Sequence, residues 1–392
     1  MHRTCLFSKV LSGSFLVAGT AIGAGMLAQP LATAKAGFIP AVIIYFFCWF
    51  FSVATGLLML EVTLSSHENS NLISMAKKYL GRSGQLMAWA LYLFLFYCLT
   101  IAYVSGGAKM IGGVFFEGGQ YLLSMSLFTV IFGGCVFMGP KIVDKMNFFL
   151  MIGLLLAFAG FVVFGMKFLR FENLKVFDFP EAVMALPVIF TTFSYQGILP
   201  TLTDYLRRDR KAIRISIIIG ASIPFFGYVL WDFLIKGIIP LNELLIAKQN
   251  GLSAVEPLKG VLKNSPIAFF GQSFGFFALT TSFLGVTLGL LDFLADGLKV
   301  SKKGCSRLFL CFLIYLPACL IAWLNPNIFF KALEYAGGIG CILLLGLLPI
   351  LMVIVKRYVK KEKQVPQELF GGKWLLFFLT LFILFEIGVT LS

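Results

Sequence analysis

Two apolar stretches of the 392-residue sequence are interrupted in the same way, by glycine followed by proline. The first contains GTAIGAG at 19–25 ahead of Pro30, and the second contains TFSYQG at 192–197 ahead of Pro200. Inside a helix a glycine costs about 1 kcal/mol and a proline about 3 kcal/mol, so both stretches are predicted to unwind there. Unwound backbone offers N–H groups to a carboxylate and carbonyl oxygens to an ammonium group or a cation. The pattern therefore predicts a ligand site between the two breaks, although the Gly-x3-Gly spacing at 19–23 also fits close helix packing.

Acidic residues also occur at the ends of apolar stretches, where a carboxylate is costly unless it is paired or hydrated. Asp292 and Asp296 lie one helical turn apart in one stretch, and Glu61 lies near the end of another. These three acids are candidates for an ion-coupling site, or for a gate that pairs with the basic segment 207–211. The other ionisable residues of the stretches are expected nearer the outer surface, where long side chains reach water. They are Lys109, Asp232, Lys236, Glu334 and Glu386.

The surrounding composition is that of a polytopic membrane protein. The chain is 59% apolar, contains 44 phenylalanines and is 13% charged, whereas an average soluble protein is roughly 25% charged. This excludes a cytosolic enzyme, a nucleic-acid binder and a disordered scaffold, because the net charge of +14 is dispersed between apolar runs. Only two histidines are present and the cysteines form no CxxC pair, which argues against a haem or a metal site.

Eleven stretches are apolar and long enough to cross a membrane as helices of about 20 residues. They are 9–32, 38–62, 86–113, 121–139, 147–169, 183–204, 213–239, 267–297, 305–323, 328–356 and 373–391. With the N-terminus in the cytoplasm, 22 of the 32 Lys and Arg residues fall on the cytoplasmic side, whereas the 18 acids divide evenly. The positive-inside rule therefore predicts a cytoplasmic N-terminus, and eleven spans place the C-terminus in the periplasm.

The spacing of the spans indicates a repeat, because spans 1 to 5 and 6 to 10 pair at offsets of about 172 to 190 residues. Five spans per unit is an odd number, so the second unit must be inverted across the membrane. We therefore predict an all-α fold with repeats at 1–180 and 181–360 and an additional helix in 361–392. The interrupted spans are the first of each unit, and paired interruptions of this kind mark the binding sites of transporters.

Six segments carry a likeness to a known family. They are GTAIGAGMLAQPL at 19–31, LLMLEV at 57–62, YLGRSGQ at 79–85, YCLTIAYVSGGA at 97–108, LPVIFTTFSYQGILPTL at 186–202 and TTSFLGVTLGLLDFLAD at 280–296. In this order they resemble the bacterial hydroxy/aromatic amino-acid permeases of the amino acid–polyamine–organocation superfamily. The likeness is closest to the tyrosine-specific members, with the tryptophan permeases next.

This resemblance implies a secondary transporter of the inner membrane with eleven spans and the LeuT-like inverted-repeat fold, in which helices 1 and 6 are broken. It also implies import of tyrosine or tryptophan by proton symport with alternating access. We expect no enzymatic activity, no cofactor beyond the coupling ion, no nucleic-acid partner and no obligate protein partner. Import of serine or threonine by the same fold remains an alternative, and a channel or a membrane-embedded enzyme is less compatible with the residues.

The resemblance assigns the two breaks to the groups that all amino acids share. The candidates for that role are Thr20, Ile22, Gly23, Ala24, Gly25, Thr192, Ser194 and Gly197. The candidates for an aromatic side-chain slot are Phe193, Tyr195 and Gln196 in span 6 and Tyr97, Thr100 and Tyr103 in span 3. Family members carry Phe-His-Gly where this chain has Tyr-Gln-Gly at 195–197, so an amide replaces a titratable group.

The coupling ion is expected to be a proton, and Glu61, Asp292 and Asp296 are candidates either for carrying it or for forming a gate. Sodium is the alternative, because the hydroxyls of Thr280, Thr281 and Ser282 can lie near the carbonyls of residues 18–22. Some broken-helix transporters of this fold bind sodium in that way, and oxygen ligands suit a hard cation.

Overall fold

The structure is a computed structural model that describes residues 2–68, 70–116, 119–262, 265–362, 365–369 and 371–391, with side chains from residue 9 onward. Within these ranges the chain forms α-helices and short tighter or wider helical turns, and no strand. The α-helices are α1 (His2–Ala21), α2 (Gly25–Ala32), α3 (Phe38–Leu64), α4 (Leu72–Phe115), α5 (Tyr121–Met138), α6 (Pro140–Gly165), α7 (Phe179–Met184), α8 (Leu186–Thr192), α9 (Leu199–Tyr205), α10 (Arg210–Ile238), α11 (Leu241–Gln249), α12 (Glu256–Val261), α13 (Pro266–Leu298), α14 (Gly304–Leu324), α15 (Phe329–Tyr335), α16 (Leu348–Ile354) and α17 (Gly372–Leu391). The all-α class predicted from the sequence is confirmed.

The described residues contain nine helices that are long and apolar enough to cross a membrane, and a tenth span if α1 and α2 count as one bent helix. The predicted span at 183–204 is divided among α7, α8 and α9, each too short to cross alone. This division is the difference from the eleven stretches counted in the sequence. The protein is thus a multi-pass membrane protein, and the exposed phenylalanine and leucine residues on helices such as α14 and α17 suit a lipid environment.

The first break lies between α1 and α2, whose axes differ by 58°. The last turn of α1 is closed by a hydrogen bond from the Ile22 N–H to the Ala18 carbonyl of 2.9 Å. The Met26 N–H then donates to the Gly23 carbonyl at 3.0 Å, which begins the first turn of α2. The helix is therefore interrupted over 22–24, inside the glycine-rich segment where unwinding was predicted.

The second break lies between α8 and α9. The chain leaves α8 after Thr192 and makes one tight helical turn at Gln196–Ile198, and α9 begins at Leu199. Both α8 and α9 carry a proline in their first turn, where the missing N–H costs no helical hydrogen bond. Proline thus starts each half of the divided helix, and the segment between the halves stays irregular.

The long helices bring the two breaks together. Helix α1 packs against α10, α2 packs against α8, and α13 packs against α6 and α4. After α15 the chain continues through a wider, π-helical segment, Ala336–Leu347, which packs against α8, α4 and α17. This segment closes one side of the region between the breaks.

Candidate functional site

A cavity of about 470 Å³ lies where the two breaks meet. Its volume falls within the range of roughly 300–1,000 Å³ that small-molecule sites occupy. Residues of both breaks line it: Gly19, Thr20, Ala21, Ile22, Gly23, Ala24, Gly25, Thr191, Thr192, Ser194, Tyr195, Gly197 and Ile198. The remaining wall comes from α4, α6, α13 and the π-helical segment. The cavity is therefore large enough for an amino acid and bordered by irregular backbone.

Two glycines of the first break, Gly23 and Gly25, allow its backbone to lie close to α8 and α13. A Cβ atom on Gly25 would lie 2.7 Å from Cγ2 of Thr192, which belongs to the second break. A Cβ atom on Gly23 would collide with the hydroxyl of Ser282 on α13. That hydroxyl accepts a hydrogen bond of 3.0 Å from the Ala24 N–H. The first break is thus held against α8 on one side and against α13 on the other.

Tyr228 of α10 joins the two breaks directly. Its hydroxyl lies 2.7 Å from the Ala21 carbonyl and 2.8 Å from the Thr192 carbonyl, at the C-terminal ends of α1 and α8. The side chain is fully buried, and its ring packs edge-to-face against Phe193 with centroids 5.1 Å apart. The Tyr228 hydroxyl therefore holds the C-terminal ends of α1 and α8 close to each other.

Helix α3 supports the second break through Ser52. The Ser52 hydroxyl donates to the Phe193 carbonyl at 2.6 Å, and its own carbonyl accepts from the Tyr195 hydroxyl at 3.0 Å. The amide of Gln196 donates to Thr55, also on α3, at 2.9 Å. These bonds satisfy polar groups that the irregular segment would otherwise leave unpaired inside the membrane.

The wall of the cavity outside the breaks is rich in aromatic side chains. Tyr92, Phe96 and Tyr103 of α4 line it together with Tyr195, and the rings of Tyr92 and Phe96 are 5.4 Å apart. The cavity also contains Asn147 of α6, whose buried side-chain oxygen has no hydrogen-bond partner in the described part of the chain. An aromatic wall with a few free polar groups suits a ligand that carries both an aromatic ring and charged groups.

The cavity extends from the breaks to Asn147 and Met151, which lie in the first half of α6. Past the first break, residues 26–32 of α2 are all buried. There the Gln29 amide donates to the Thr192 hydroxyl at 2.7 Å and connects α2 to α8.

Comparison with known proteins gives a consistent result. Residues 7–390 match the tryptophan/tyrosine permease family. The chain is 34% identical to tyrosine-specific transport system 1 of Haemophilus influenzae, over 98% of this chain and 96% of that protein. The chain belongs to the tryptophan/tyrosine permease family. It is also 29% identical to the tryptophan-specific transport protein of the same organism, over 98% and 97% of the two chains. The low affinity tryptophan permease of Escherichia coli is 28% identical over 91% and 88%.

Family membership confirms the resemblance of the six sequence segments and makes this chain a transport protein rather than an enzyme. The relatives are named as tyrosine-specific and tryptophan-specific, which supports aromatic amino-acid permease function.

The structure brings most of the predicted substrate residues of this permease to the cavity and leaves four outside its lining. Tyr97 donates its hydroxyl to the Leu313 carbonyl at 3.0 Å, toward α14, and Thr100 donates to the Phe96 carbonyl of its own helix at 2.7 Å. Phe193 packs against the ring of Tyr228, and Gln196 faces α3. All ten others, from Thr20 to Gly197, line the cavity.

The predicted coupling residues of the permease occupy three different settings. Thr281 and Ser282 line the cavity. Glu61 is fully buried, with Lys356 and Arg357 2.9 Å and 2.5 Å from its two oxygens. Asp292 and Asp296 are exposed and lie 2.8 Å and 3.1 Å from the Lys302 ammonium.

The expected pairing of these acids with the basic segment 207–211 therefore needs correction. The partner of Asp292 and Asp296 is Lys302, in the loop that directly follows α13. Partial burial would lower the pKa of Lys302, but its hydrogen bonds to the two carboxylates raise it. Arg208 of the basic segment instead donates to the carbonyls of Thr63 and Leu64 at the end of α3.

Three ionisable residues that were expected to reach water at the outer surface are buried instead. Asp232 and Lys236 form an ion pair of 2.9 Å in the interior, and the Lys236 ammonium donates to the Thr33 hydroxyl at 2.7 Å. Glu386 of α17 is fully buried. The sequence showed them near the ends of apolar stretches. In the fold, the segment after α2 covers Lys236, and α17 packs against α8 and the π-helical segment.

A larger cavity of about 1,100 Å³ lies away from the breaks, between the C-terminal end of α4 and the N-terminal ends of α5 and α13. Lys109 lies in its wall and donates to the side chain of Asn327 at 2.6 Å. None of the predicted substrate residues lines this second cavity. We therefore place the functional site in the smaller cavity, where both breaks meet.

Proposed function

We propose that this permease imports tyrosine, tryptophan or both across the inner membrane by proton symport with alternating access. The observation that carries the proposal is the cavity between two interrupted helices, with an aromatic wall, in a chain of the tryptophan/tyrosine permease family. The proposal includes an inverted repeat of 1–180 and 181–360 followed by 361–392, eleven spans, a cytoplasmic N-terminus and a periplasmic C-terminus.

The charged groups of the substrate are assigned to the broken backbone. The N-terminal end of α2 at Gly25 carries a partial positive charge, so it would attract the substrate carboxylate. The C-terminal ends of α1 and α8 present carbonyl oxygens and a partial negative charge, so they would attract the ammonium group. Both interactions occur in a low-dielectric interior, where they are stronger than in water.

The substrate ring is assigned to the aromatic wall. Tyr92, Phe96 and Tyr103 present ring faces and edges to the cavity, and paired aromatic rings contribute about 0.5–1.5 kcal/mol beyond the burial of their area. The Asn147 side-chain oxygen is free to accept a hydrogen bond from a phenol or an indole N–H. A serine or threonine substrate would leave this wall in contact with water, which favours the aromatic reading.

With the N-terminus in the cytoplasm, the positions of the cavity and of α2 correspond to an inward-facing conformation. The cavity reaches Asn147 and Met151 in the first half of α6, which we assign to the cytoplasmic half of the membrane because the start of α6 carries basic residues. The opposite end is closed by the buried α2, which Gln29 ties to α8 and Lys236 of α10 ties to Thr33. Outward opening would have to separate α2 from both helices.

Proton coupling is favoured over sodium coupling by the hydroxyls near the first break. Ser282 already binds the Ala24 N–H and the Ala278 carbonyl, and Thr281 donates to the carbonyls of its own helix. Sodium would need several oxygen ligands arranged around one point. Sodium coupling through Thr281 and Ser282 remains the alternative.

The test is uptake of radiolabelled tryptophan and tyrosine into proteoliposomes, with separate inward gradients of protons and sodium. We expect accumulation under the proton gradient, competition among aromatic amino acids and no competition by serine. Accumulation driven only by sodium would move the coupling site to Thr281 and Ser282. Uptake of serine in place of the aromatic amino acids would overturn the proposed substrate class.

A further inference from the structure

One buried carboxyl group has no counter-charge among the residues that the structure describes. Glu386 lies on α17 with 0% exposure, and neither of its carboxyl oxygens has a hydrogen-bond partner in the described residues. The neighbouring Thr390 hydroxyl donates to the backbone carbonyl of Glu386 at 3.0 Å and not to its carboxyl group. Both oxygens of the Glu386 carboxyl group are therefore buried without a hydrogen-bond partner in the described residues.

The other fully buried acids of the described chain are all paired. Glu61 lies beside two cations, Asp232 lies 2.9 Å from Lys236, and Glu368 forms an ion pair with Arg210. Glu386 thus differs from them in kind. An unpaired carboxylate inside a protein costs several kcal/mol and is avoided by binding a proton, so this carboxyl group is neutral here.

The elements packed against α17 offer no unpaired charge to Glu386 in the described part of the chain. The π-helical segment contributes one buried thiol, Cys341, and α3 contributes another, Cys48. Helix α8 contains no ionisable residue, and the acid of α7, Glu181, pairs with Lys35 at the surface. Burial is therefore the one electrostatic influence on this carboxyl group that the described residues show.

The helix that carries Glu386 packs against two elements of the cavity wall. Thr191 and Thr192 of α8, and Leu344 and Leu345 of the π-helical segment, line the cavity. Helix α17 packs directly on α8 and on the π-helical segment, so movement of the second break changes the surroundings of Glu386.

We propose that Glu386 is the proton-binding residue that couples transport to the proton gradient. This inference rests on the proposed proton symport. The proton is held by an O–H bond on the Glu386 carboxyl group, and release breaks that bond and transfers the proton to water that reaches the group, leaving a carboxylate. The carboxylate is stable only while water reaches it, so its protonation depends on the conformation of the second break.

The test compares the wild-type protein with Glu386→Gln in proteoliposomes. Glutamine has nearly the same shape as the neutral acid and cannot release a proton. With an inward gradient of one pH unit and one proton per substrate, the wild type is expected to accumulate substrate roughly tenfold. Glu386→Gln is expected to lose this accumulation but to keep exchange of labelled for unlabelled substrate at equal pH. The matched control is Glu334→Gln, a partly exposed acid beside Lys331, which is expected to accumulate substrate like the wild type.

The possible outcomes separate the two proposals. Proton-driven accumulation by Glu386→Gln at the wild-type level would overturn the role of Glu386 and leave proton symport intact. If Glu386→Gln lost both exchange and accumulation, the residue would have a structural role, and this result would also overturn its role in proton coupling. If a sodium gradient alone drove substrate accumulation by the wild-type protein, proton symport itself would be overturned.

An infrared measurement keeps the proposal testable without transport. A neutral buried carboxyl group gives a C=O stretching band that Glu386→Gln removes. We expect this band in the purified wild-type protein and expect substrate to shift it. Identical spectra of the two proteins in this region would contradict a protonated Glu386.

Discussion

Replacing Gly25 by alanine tests whether the contact between the two breaks forms the ligand site. The added Cβ atom would lie 2.7 Å from Cγ2 of Thr192 and 3.6 Å from its Cα atom. Thr192 cannot turn away easily, because its hydroxyl is held by Gln29 at 2.7 Å and by the Ile189 carbonyl at 2.7 Å. The breaks must therefore move apart when a methyl group is added at this position.

The magnitude follows from the cost of overpacking, which is about 1–3 kcal/mol for an extra methyl group in a tightly packed site. If the strain falls on the ligand-binding conformation, affinity for the substrate falls roughly 5- to 150-fold. The assay is equilibrium binding of labelled tryptophan or tyrosine to the purified protein, with thermal unfolding as a control for folding.

The matched control is Gly19→Ala in the same cavity. A Cβ atom on Gly19 would meet nothing within 4 Å, and Gly19 also lines the cavity wall. We expect its affinity to stay within about threefold of the wild type, since no contact is strained. Unchanged binding by Gly25→Ala, or an equal loss by both variants, would refute the role of the contact between the breaks.

Further predictions concern four residues with different partners. Gly23→Leu is expected to abolish uptake while leaving the protein in the membrane, since its side chain would collide with Ser282; wild-type uptake in proteoliposomes would contradict this. Glu61→Gln leaves two buried cations without their carboxylate and should destabilise the protein by about 3–5 kcal/mol in denaturant unfolding; a change under about 1 kcal/mol would show that the pair is dispensable. Gln196→His should leave the pH profile and competition pattern of uptake unchanged, because the side chain faces α3; a shifted profile would place it at the cavity. Burial raises the pKa of Glu256, in the loop helix α12, from 4.5 to about 7. Between these two pH values the folded protein keeps the proton and the unfolded chain loses it, so thermal stability should fall as pH rises from 4.5 to 7 and level off above 7. Glu256→Gln should remove this pH dependence.

The positions of the breaks were predictable from the sequence because glycine and proline act on the local backbone. The cost of these residues inside a helix depends little on what surrounds them, so 19–25 and 192–197 could be identified without tertiary information. Most of the predicted residues at the breaks line the cavity, whereas Phe193 and Gln196 do not. Residues on the faces of other helices required knowledge of how those helices are rotated.

Helix α4 illustrates the second case. The sequence indicated Tyr97 and Thr100 because they share one face with helical spacing, but that face contacts α14 and the helix's own backbone. Tyr103, which was predicted, lines the cavity together with Tyr92 and Phe96, which were not. In an apolar membrane helix no polar stripe shows which face meets the cavity, so the rotation cannot be read from the pattern.

The supporting residues Ser52 and Tyr228 were missed for a related reason. Each is a single polar residue in an apolar run, and a hydroxyl in such a run can also bond to its own helix. Their distinguishing signal was that a tyrosine hydroxyl inside the membrane needs a partner, which for Tyr228 is the pair of carbonyls at the breaks. The identity of that partner depends on contacts far apart in the sequence.

The electrostatic predictions failed where segments distant in the sequence determine burial. Asp232, Lys236 and Glu386 are close to the ends of apolar stretches, which suggested contact with water. In the fold, Lys236 contacts Thr33 and the Gly37 carbonyl, and these residues follow α2. Distance from the end of a helix therefore does not measure depth when a second segment folds over that end.

The measurement that tests the central claim most directly is an experimental structure of the purified protein with bound tyrosine or tryptophan. We predict the amino acid between the two breaks, with its carboxylate at the start of α2 and its ring beside Tyr92, Phe96 and Tyr103. Binding in the larger cavity beside Lys109, with the space between the breaks left empty, would contradict the assignment of the site.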